Sequence, residues 1–231
     1  MMENIKVGCR IYRNITRAPK EMVERFRGIP TSNIGDQMHR IYCMYGINSM
    51  NHKKMAGTAF TVKAPMGDNL MVGRALDMAE PGDVLVIDSG GTMNRSIMGE
   101  MMFTYAQGRG LAGIVVDGCI RDIDGTRTMD IPVFAKGVTP QGPFKKGPGE
   151  INVPIACGGQ AVMPGDIIIG DPDGIVVIHR EDAQYVVEDS IKKLDSEIKK
   201  LERYHAGNFS RKEYWESYEA LLQKAGVVYI D

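Results

Sequence analysis

Residues 84–122, VLVIDSGGTMNRSIMGEMMFTYAQGRGLAGIVVDGCIRD, decide the fold class. VLVID (84–88) is a continuous apolar run broken at Gly90-Gly91, the pattern of a strand buried on both faces. SIMGEMMFTYAQ (96–107) reads as a helix, ended by Gly108 and Gly110. LAGIVVDG (111–118) is a second buried strand. Strand, glycine turn, helix, strand is a βαβ unit, which demands a parallel pair joined by a crossover.

The pattern continues on both sides. KEMVERF is a short helix stopped by Gly28 and Pro30, and TSNIGDQM follows with Thr31 or Ser32 as N-cap. GTAFTVKA (57–64) alternates as a strand, and Asp68 caps a helix through Met71, Ala75 and Met78. IPVFAKG (131–137) is a further apolar strand. VTPQGPFKKGPGE (138–150) is a loop rich in Gly and Pro, and short strands follow it, with Asp173-Gly174 as a turn. From Glu181 the chain turns helical. Val187, Ile191, Leu194, Ile198 and Leu201 form a narrow apolar stripe, suited either to the chain's own core or to a neighbouring subunit. A last helix carries Trp215, Tyr218 and Leu222. The expectation is one α/β domain over 1–231, with a core of about 20–180 and a helical C-terminal arm of about 181–231.

Composition narrows the function classes. Lys+Arg is 28 against Asp+Glu 29, so no polycationic surface for nucleic acid or anionic membrane is expected. No apolar run reaches the ~20 residues needed to span a bilayer, and MMENIKVGCRIYRN lacks the layout of a secretory leader. A cytoplasmic protein is expected. Cys9, Cys43, Cys119 and Cys157 fall in no metal or redox spacing, and reduced, mostly buried thiols are expected.

Three segments invite a chemical reading. Gly108-Arg109-Gly110-Leu111-Ala112-Gly113 matches a dinucleotide fingerprint, but with the helix before it and the strand after it, so the phosphate-binding helix start is missing. VIDSGGT (86–92) resembles a methyltransferase glycine motif with the wrong spacing, and reads as a tight βα turn. VVDGCIRDIDG (115–125) is sharper. It sets Arg121, Asp122 and Asp124 just past a buried parallel strand, the edge where ligands bind in open α/β sheets. An intraloop ion pair would also account for it. Gly99-Glu100-Met101-Met102 opens the preceding helix, where free N–H groups can hold a carboxylate or enolate oxygen. The four histidines lie in unrelated contexts.

Glu100, twenty intervening residues and then Arg121-Asp122 resemble the acid-x20-Arg-Asp pattern of the RraA-like family. The likeness runs over about 30–180, through GDQM, DNL, PGDVLVID, GIVVDGCIRD, IPVFAKG and PGDIIIGDPDGIVVI. That family includes class II aldolases of 4-hydroxy-4-methyl-2-oxoglutarate, a regulator of ribonuclease activity, and members labelled dimethylmenaquinone methyltransferase. The resemblance implies a layered β/β/α swivelling fold of the phosphohistidine-domain type, in trimers or hexamers. It implies Mg²⁺, Mn²⁺ or another divalent cation on Asp122, Arg121 on a small 2-oxo acid substrate, and residues 99–102 around its pyruvyl group. Glu100 stands where the aldolases usually carry Asp. A carboxylate borrowed from a neighbouring subunit matches Glu197 best, with Glu202 as the other choice. The implied activity is pyruvate-releasing cleavage with oxaloacetate decarboxylation beside it. The alternatives are a non-catalytic regulator of a ribonuclease complex and, third, a methyltransferase.

Overall fold

The computed structural model describes residues 6–208 and 210–230, and for Glu213 the backbone alone; the first five residues of the amino-terminal stretch read above, and the last residue of the arm, lie outside the described residues. The elements run α1 Lys20–Phe26, α2 Thr31–Gln37, β1 Asn48–Ser49, β2 Met55–Lys63, α3 Leu70–Met78, β3 Asp83–Met98, α4 Glu100–Gly108, β4 Gly113–Ile120, α5 Ile123–Thr128 and β5 Val133–Val138. Then come β6 Glu150–Ile151, β7 Ile155–Cys157, β8 Gln160–Val162, β9 Ile167–Asp171, β10 Gly174–Ile178, α6 Ala183–His205 and α7 Arg211–Lys224.

β2, β3, β4 and β5 pair in parallel, with α3, α4 and α5 as the successive crossovers. The main sheet runs β1-β5-β4-β3-β2-β9-β10, with β6 beside β2, and β7–β8 forms a separate hairpin. The expected βαβ core is therefore present, within a mixed α/β fold. Each parallel strand is apolar on both faces because both are covered. Phe60, Leu85, Ile87, Ile114 and Val116 pack with Val72 and Leu76 of α3 and Phe103 of α4. Ala59, Val84, Val86, Val115 and Phe134 pack on the other side with Ile155, Cys157 and Val162 of the hairpin.

Several boundaries differ from the sequence reading. β3 does not stop at Gly90-Gly91 but continues to Met98, keeping β4 as its partner through three register shifts. Gly90 and Gly91 have φ of +66° and +68°, and such glycines let a strand bulge and go on rather than end it. Ser96–Met98 are consequently strand, and α4 starts only at Glu100. Pro30, not Thr31 or Ser32, is the N-cap of α2. The buried Asp171 carboxylate does the capping from β9, accepting the Thr31 N–H at 2.8 Å and the Thr31 hydroxyl at 2.7 Å. Asn69 occupies the N-cap of α3, while Asp68 accepts the Leu70 N–H from one residue further out.

The chain divides into two compact units, residues 1–191 and 192–231. In the first, Val186, Val187 and Ser190 of α6 are buried. Along the apolar stripe only Val187 is buried; Ile191, Ile198 and Leu201 are exposed in the single chain. The second unit holds the rest of α6 and all of α7. Among the described residues no helix is long and apolar enough to cross a membrane. All four cysteines are free; Cys119 and Cys157 are buried, Cys43 is partly so, and Cys9 is exposed.

Candidate active site

β4 delivers the site. It ends at Ile120, and the Arg121 N–H donates to the Met98 carbonyl at 3.0 Å, which holds the turn against the end of β3. Asp122 follows at φ 59° and ψ 47°, the left-handed region that few residues other than glycine, Asn and Asp adopt readily. That turn sends the Asp122 carboxylate back across the sheet edge, where Oδ2 accepts the Glu100 N–H at 3.1 Å. Arg121 Nε lies 3.5 Å from the same oxygen. Both side chains remain nearly half exposed, so this ion pair is solvated and weak. The intraloop pair anticipated from the sequence therefore exists, but it forms at the mouth of a pocket.

Gly99 is the N-cap of α4, and its lack of a side chain is required. A Cβ there would sit 2.4 Å from Asp122 Oδ2 and 2.9 Å from Arg121 Cγ. The first turn of α4 lies beside these two residues; its Glu100 N–H is given to Asp122 and its Met102 N–H to the Gly99 carbonyl at 3.0 Å, leaving the Met101 N–H to an anionic ligand. Gly99, Met101, Met102, Arg121 and Asp122 line one small pocket of about 50 Å³, together with Asn69 and Pro143. The segment 99–102 and the Arg-Asp pair, which the sequence placed on adjacent elements, thus meet.

Glu100 is the exception. It does not line the pocket, because its carboxylate lies against α5, where a Cβ on Gly125 would come within 2.3 Å of Oε2. A side chain at 125 would push the Glu100 carboxylate from this place, a contact that a lone glycine in a short helix does not announce. Glu197 and Glu202 belong to the second unit; Glu197 pairs with Lys193 at 3.0 Å. Asp117 and Asp124, the neighbouring acids of the same stretch, line no part of the pocket. Asp117 is buried and paired with Lys136 at 2.7 Å, and Asp124 is almost fully exposed.

Asn69 and Pro143 were missed in the sequence. Their signals are faint: an Asp-Asn pair opening a helix and a proline in a loop. The loop over 138–150 reaches the site because Asp68 pins it, its Oδ2 accepting the amides of Lys146 at 2.6 Å and Gly147 at 3.0 Å. Arg95 donates to the Gly142 carbonyl at 2.8 Å and stacks 3.8 Å over Phe144.

The competing motifs lose their mechanical basis. Gly90 and Gly91 lie inside a strand, not in a turn opening a helix, and Gly108–Gly113 joins the end of α4 to the start of β4. His179 Nδ1 lies 2.9 Å from Oδ2 of the buried Asp166, far in sequence from Arg121. Burial raises the Asp166 carboxyl above its ordinary range, opposed by the Met163 N–H and His179.

The chain with this parallel sheet and Arg-Asp turn matches the RraA-like (Aldolase/RraA) family model over residues 31–177, and it belongs to that family. It is 40% identical over 181 residues to a Halalkalibacterium halodurans protein named "Putative 4-hydroxy-4-methyl-2-oxoglutarate aldolase", spanning 78% of this chain and 86% of that one. Among solved structures it is similar to Streptomyces coelicolor RraAS2, described as an unusual member of the RNase ES inhibitor RraA family. The TM-score is 0.72 at 28% identity, covering 81% of this chain and 100% of that one. Thermus thermophilis RraA, described as an RNA-processing inhibitor, aligns with TM-score 0.59 at 29% identity, over 64% of this chain and 92% of that one.

Proposed function

We propose that this chain is a divalent-metal-dependent aldolase that cleaves a 4-hydroxy-2-oxo acid, of the 4-hydroxy-4-methyl-2-oxoglutarate type, and releases pyruvate. The observation that carries the reading is the convergence of Arg121, Asp122 and the α4 start on one pocket. The name of the Halalkalibacterium relative supports it.

The donor set fits a magnesium-like cation. Among the described residues no group of three His, Cys, Asp or Glu side chains could form an all-protein cage. Mg²⁺ needs none, since it binds through one or two carboxylates and keeps its other places for water and substrate. Asp122 would hold it, and the cation would polarise the 2-keto oxygen when bound. The Met101 amide at the start of α4, whose neighbours are held by Asp122 and Gly99, takes the substrate carboxylate together with Arg121. The Arg121 guanidinium supplies fixed positive charge where the enolate oxygen develops, which lowers the barrier because the charge is already in place. The proton of the C4 hydroxyl passes to a water held by carboxylates: Glu197 donated by a neighbouring subunit is one candidate, and Glu100 the other once its carboxylate turns from α5 toward the pocket. Oxaloacetate decarboxylation gives the same enolate and is expected alongside.

A trimer or hexamer is part of this reading, supported by the exposed Ile191, Ile198 and Leu201. The layered swivelling architecture and a cytoplasmic location belong to it too. The likeness to RraA structures supports a second reading, a non-catalytic regulator of a ribonuclease complex. A coupled pyruvate-release assay on several 4-hydroxy-2-oxo acids and oxaloacetate, with Mg²⁺ and with excess EDTA, separates the two. Metal-dependent release supports the aldolase; no release from any of them favours the regulator.

A further inference from the structure

Asn69 is held in an arrangement that its position in the chain does not call for. It is the N-cap of α3, where an asparagine side chain ordinarily folds back onto the helix amides. Here it makes no such bond, and Asp68 takes the Leu70 N–H instead. The Asn69 amide nitrogen donates to the Ile97 carbonyl at 2.9 Å and lies 3.5 Å from Met102 Sδ. Those contacts set which end of the amide is which. Its oxygen, Oδ1, is left buried with no hydrogen-bond partner in a residue only 5% exposed. An unsatisfied buried carbonyl is costly and calls for a partner.

The location says which partner. Asn69, Met101 and Met102 line both the small Arg121–Asp122 pocket and an adjoining cleft of about 620 Å³ bounded by Leu70, Leu76, Tyr105 and Lys145. Asn69 thus stands at the junction of the two. On the aldolase reading, the pyruvyl end fills the small pocket and the remainder of the substrate the cleft, which brings C4 to the junction. Carboxylate and keto oxygens only accept hydrogen bonds, so Asn69 Oδ1 has nothing to offer them. The C4 hydroxyl is the donor such a substrate carries.

We propose that Asn69 Oδ1 accepts a hydrogen bond from the C4 hydroxyl in the bound substrate, before the hydroxyl turns to the base, and so favours the binding of 4-hydroxy-2-oxo acids over 2-oxo acids that lack the hydroxyl. Met102, unbranched and flexible, is the neighbour that gives way when the ligand enters. The bond exists while the hydroxyl keeps its proton and is lost as the proton leaves. Asn69 therefore acts on ground-state binding alone: its removal raises KM, lets kcat rise by a similar factor and leaves kcat/KM nearly unchanged.

This inference rests on the aldolase reading, and one pair of substrates keeps their failures apart. KM and kcat are measured for 4-hydroxy-4-methyl-2-oxoglutarate and for oxaloacetate, with Mg²⁺, in the parent protein, in Asn69→Ala and in Asn69→Asp, which keeps an acceptor oxygen. Asn69→Ala is expected to raise KM for the hydroxy acid about 3- to 10-fold, the worth of one neutral hydrogen bond. The KM ratio of the two substrates should shift by nearly the same factor, and Asn69→Asp should restore that ratio toward the parent value. If KM rises equally for both substrates, Asn69 only supports the pocket wall and the proposal is overturned while the aldolase stands. If Asn69→Ala fails to fold, an unrestored ratio in Asn69→Asp overturns it as well. If the parent protein turns over neither substrate, the aldolase reading falls and takes this inference with it.

Discussion

Two acidic residues five positions apart, Asp117 on strand β4 and Asp122 just beyond its end, have opposite fates. Asp117 belongs to a row that crosses the parallel strands on the hairpin side: Lys63, Asp88, Asp117 and Lys136. Asp117 sits 2.7 Å from Lys136 and accepts the Gly158 N–H at 2.8 Å, tying the β7–β8 turn to the sheet. Lys63 closes the other end at 3.6 Å from Asp88. The row is balanced in charge and its middle is buried. Asp122, just beyond the strand, has a left-handed backbone, a half-exposed carboxylate and a loosely held arginine, beside a helix start and a pocket. Both features were visible in the sequence as charges after an apolar run. Burial and tight pairing make one a fastener; exposure and loose pairing leave the other available to a ligand.

The largest effect is expected at Arg121. Arg121→Lys keeps the charge but loses the planar fork that can hold two oxygens, so kcat for pyruvate release should fall about 10²- to 10³-fold. Thermal stability should barely move, since the side chain is exposed and weakly paired. Unchanged turnover would place the enolate elsewhere.

Lys136→Met should do the reverse. It strands the Asp117 carboxylate at low exposure, a change that costs about 3 kcal/mol when a buried pair loses one partner. Urea unfolding should show a lower midpoint, while the folded variant keeps its kcat. A variant as stable as the parent would mean the row does not fasten the hairpin.

The smallest effect is chemical. Burial, with Asp117 and Asp88 nearby, pushes the Cys157 thiol well above its ordinary pKa. A raised thiol pKa means less thiolate at any given pH, so iodoacetamide at pH 8 should label the exposed Cys9 and spare Cys157 until the protein unfolds. Mass spectrometry of the alkylated native protein reads this directly. Cys157 labelled as fast as Cys9 would show that the hairpin side of the sheet opens.

The βαβ core and the edge at Arg121-Asp122 were legible because they depend on local pattern: an apolar run, a helix period, and charges just past a strand. What was not legible depends on partners far away in sequence. Gly90-Gly91 would end an isolated strand, but β4 continues as partner and turns the break into bulges. Thr31 reads as a cap, yet the cap comes from Asp171, 140 residues away. The α6 stripe reads as uniform, but only its start at Val187 finds the core of the single chain. Asn69 and Gly125 act through space on residues 97–102, and neither has a periodicity to betray it.

On the proposed aldolase reading, Asp122 and Arg121 together hold an enolate-like dianion through a divalent cation. Oxalate, a planar mimic of the pyruvate enolate, tests it without any choice of substrate side chain. Titration calorimetry of oxalate into the parent protein, Asp122→Asn and Lys136→Met, each with Mg²⁺ and with EDTA, is the direct measurement. Mg²⁺-dependent binding is expected to the parent and to Lys136→Met, with at least a tenfold loss in Asp122→Asn that high Mg²⁺ partly restores. Equal oxalate affinity in Asp122→Asn and the parent, or undiminished binding in EDTA, would contradict it.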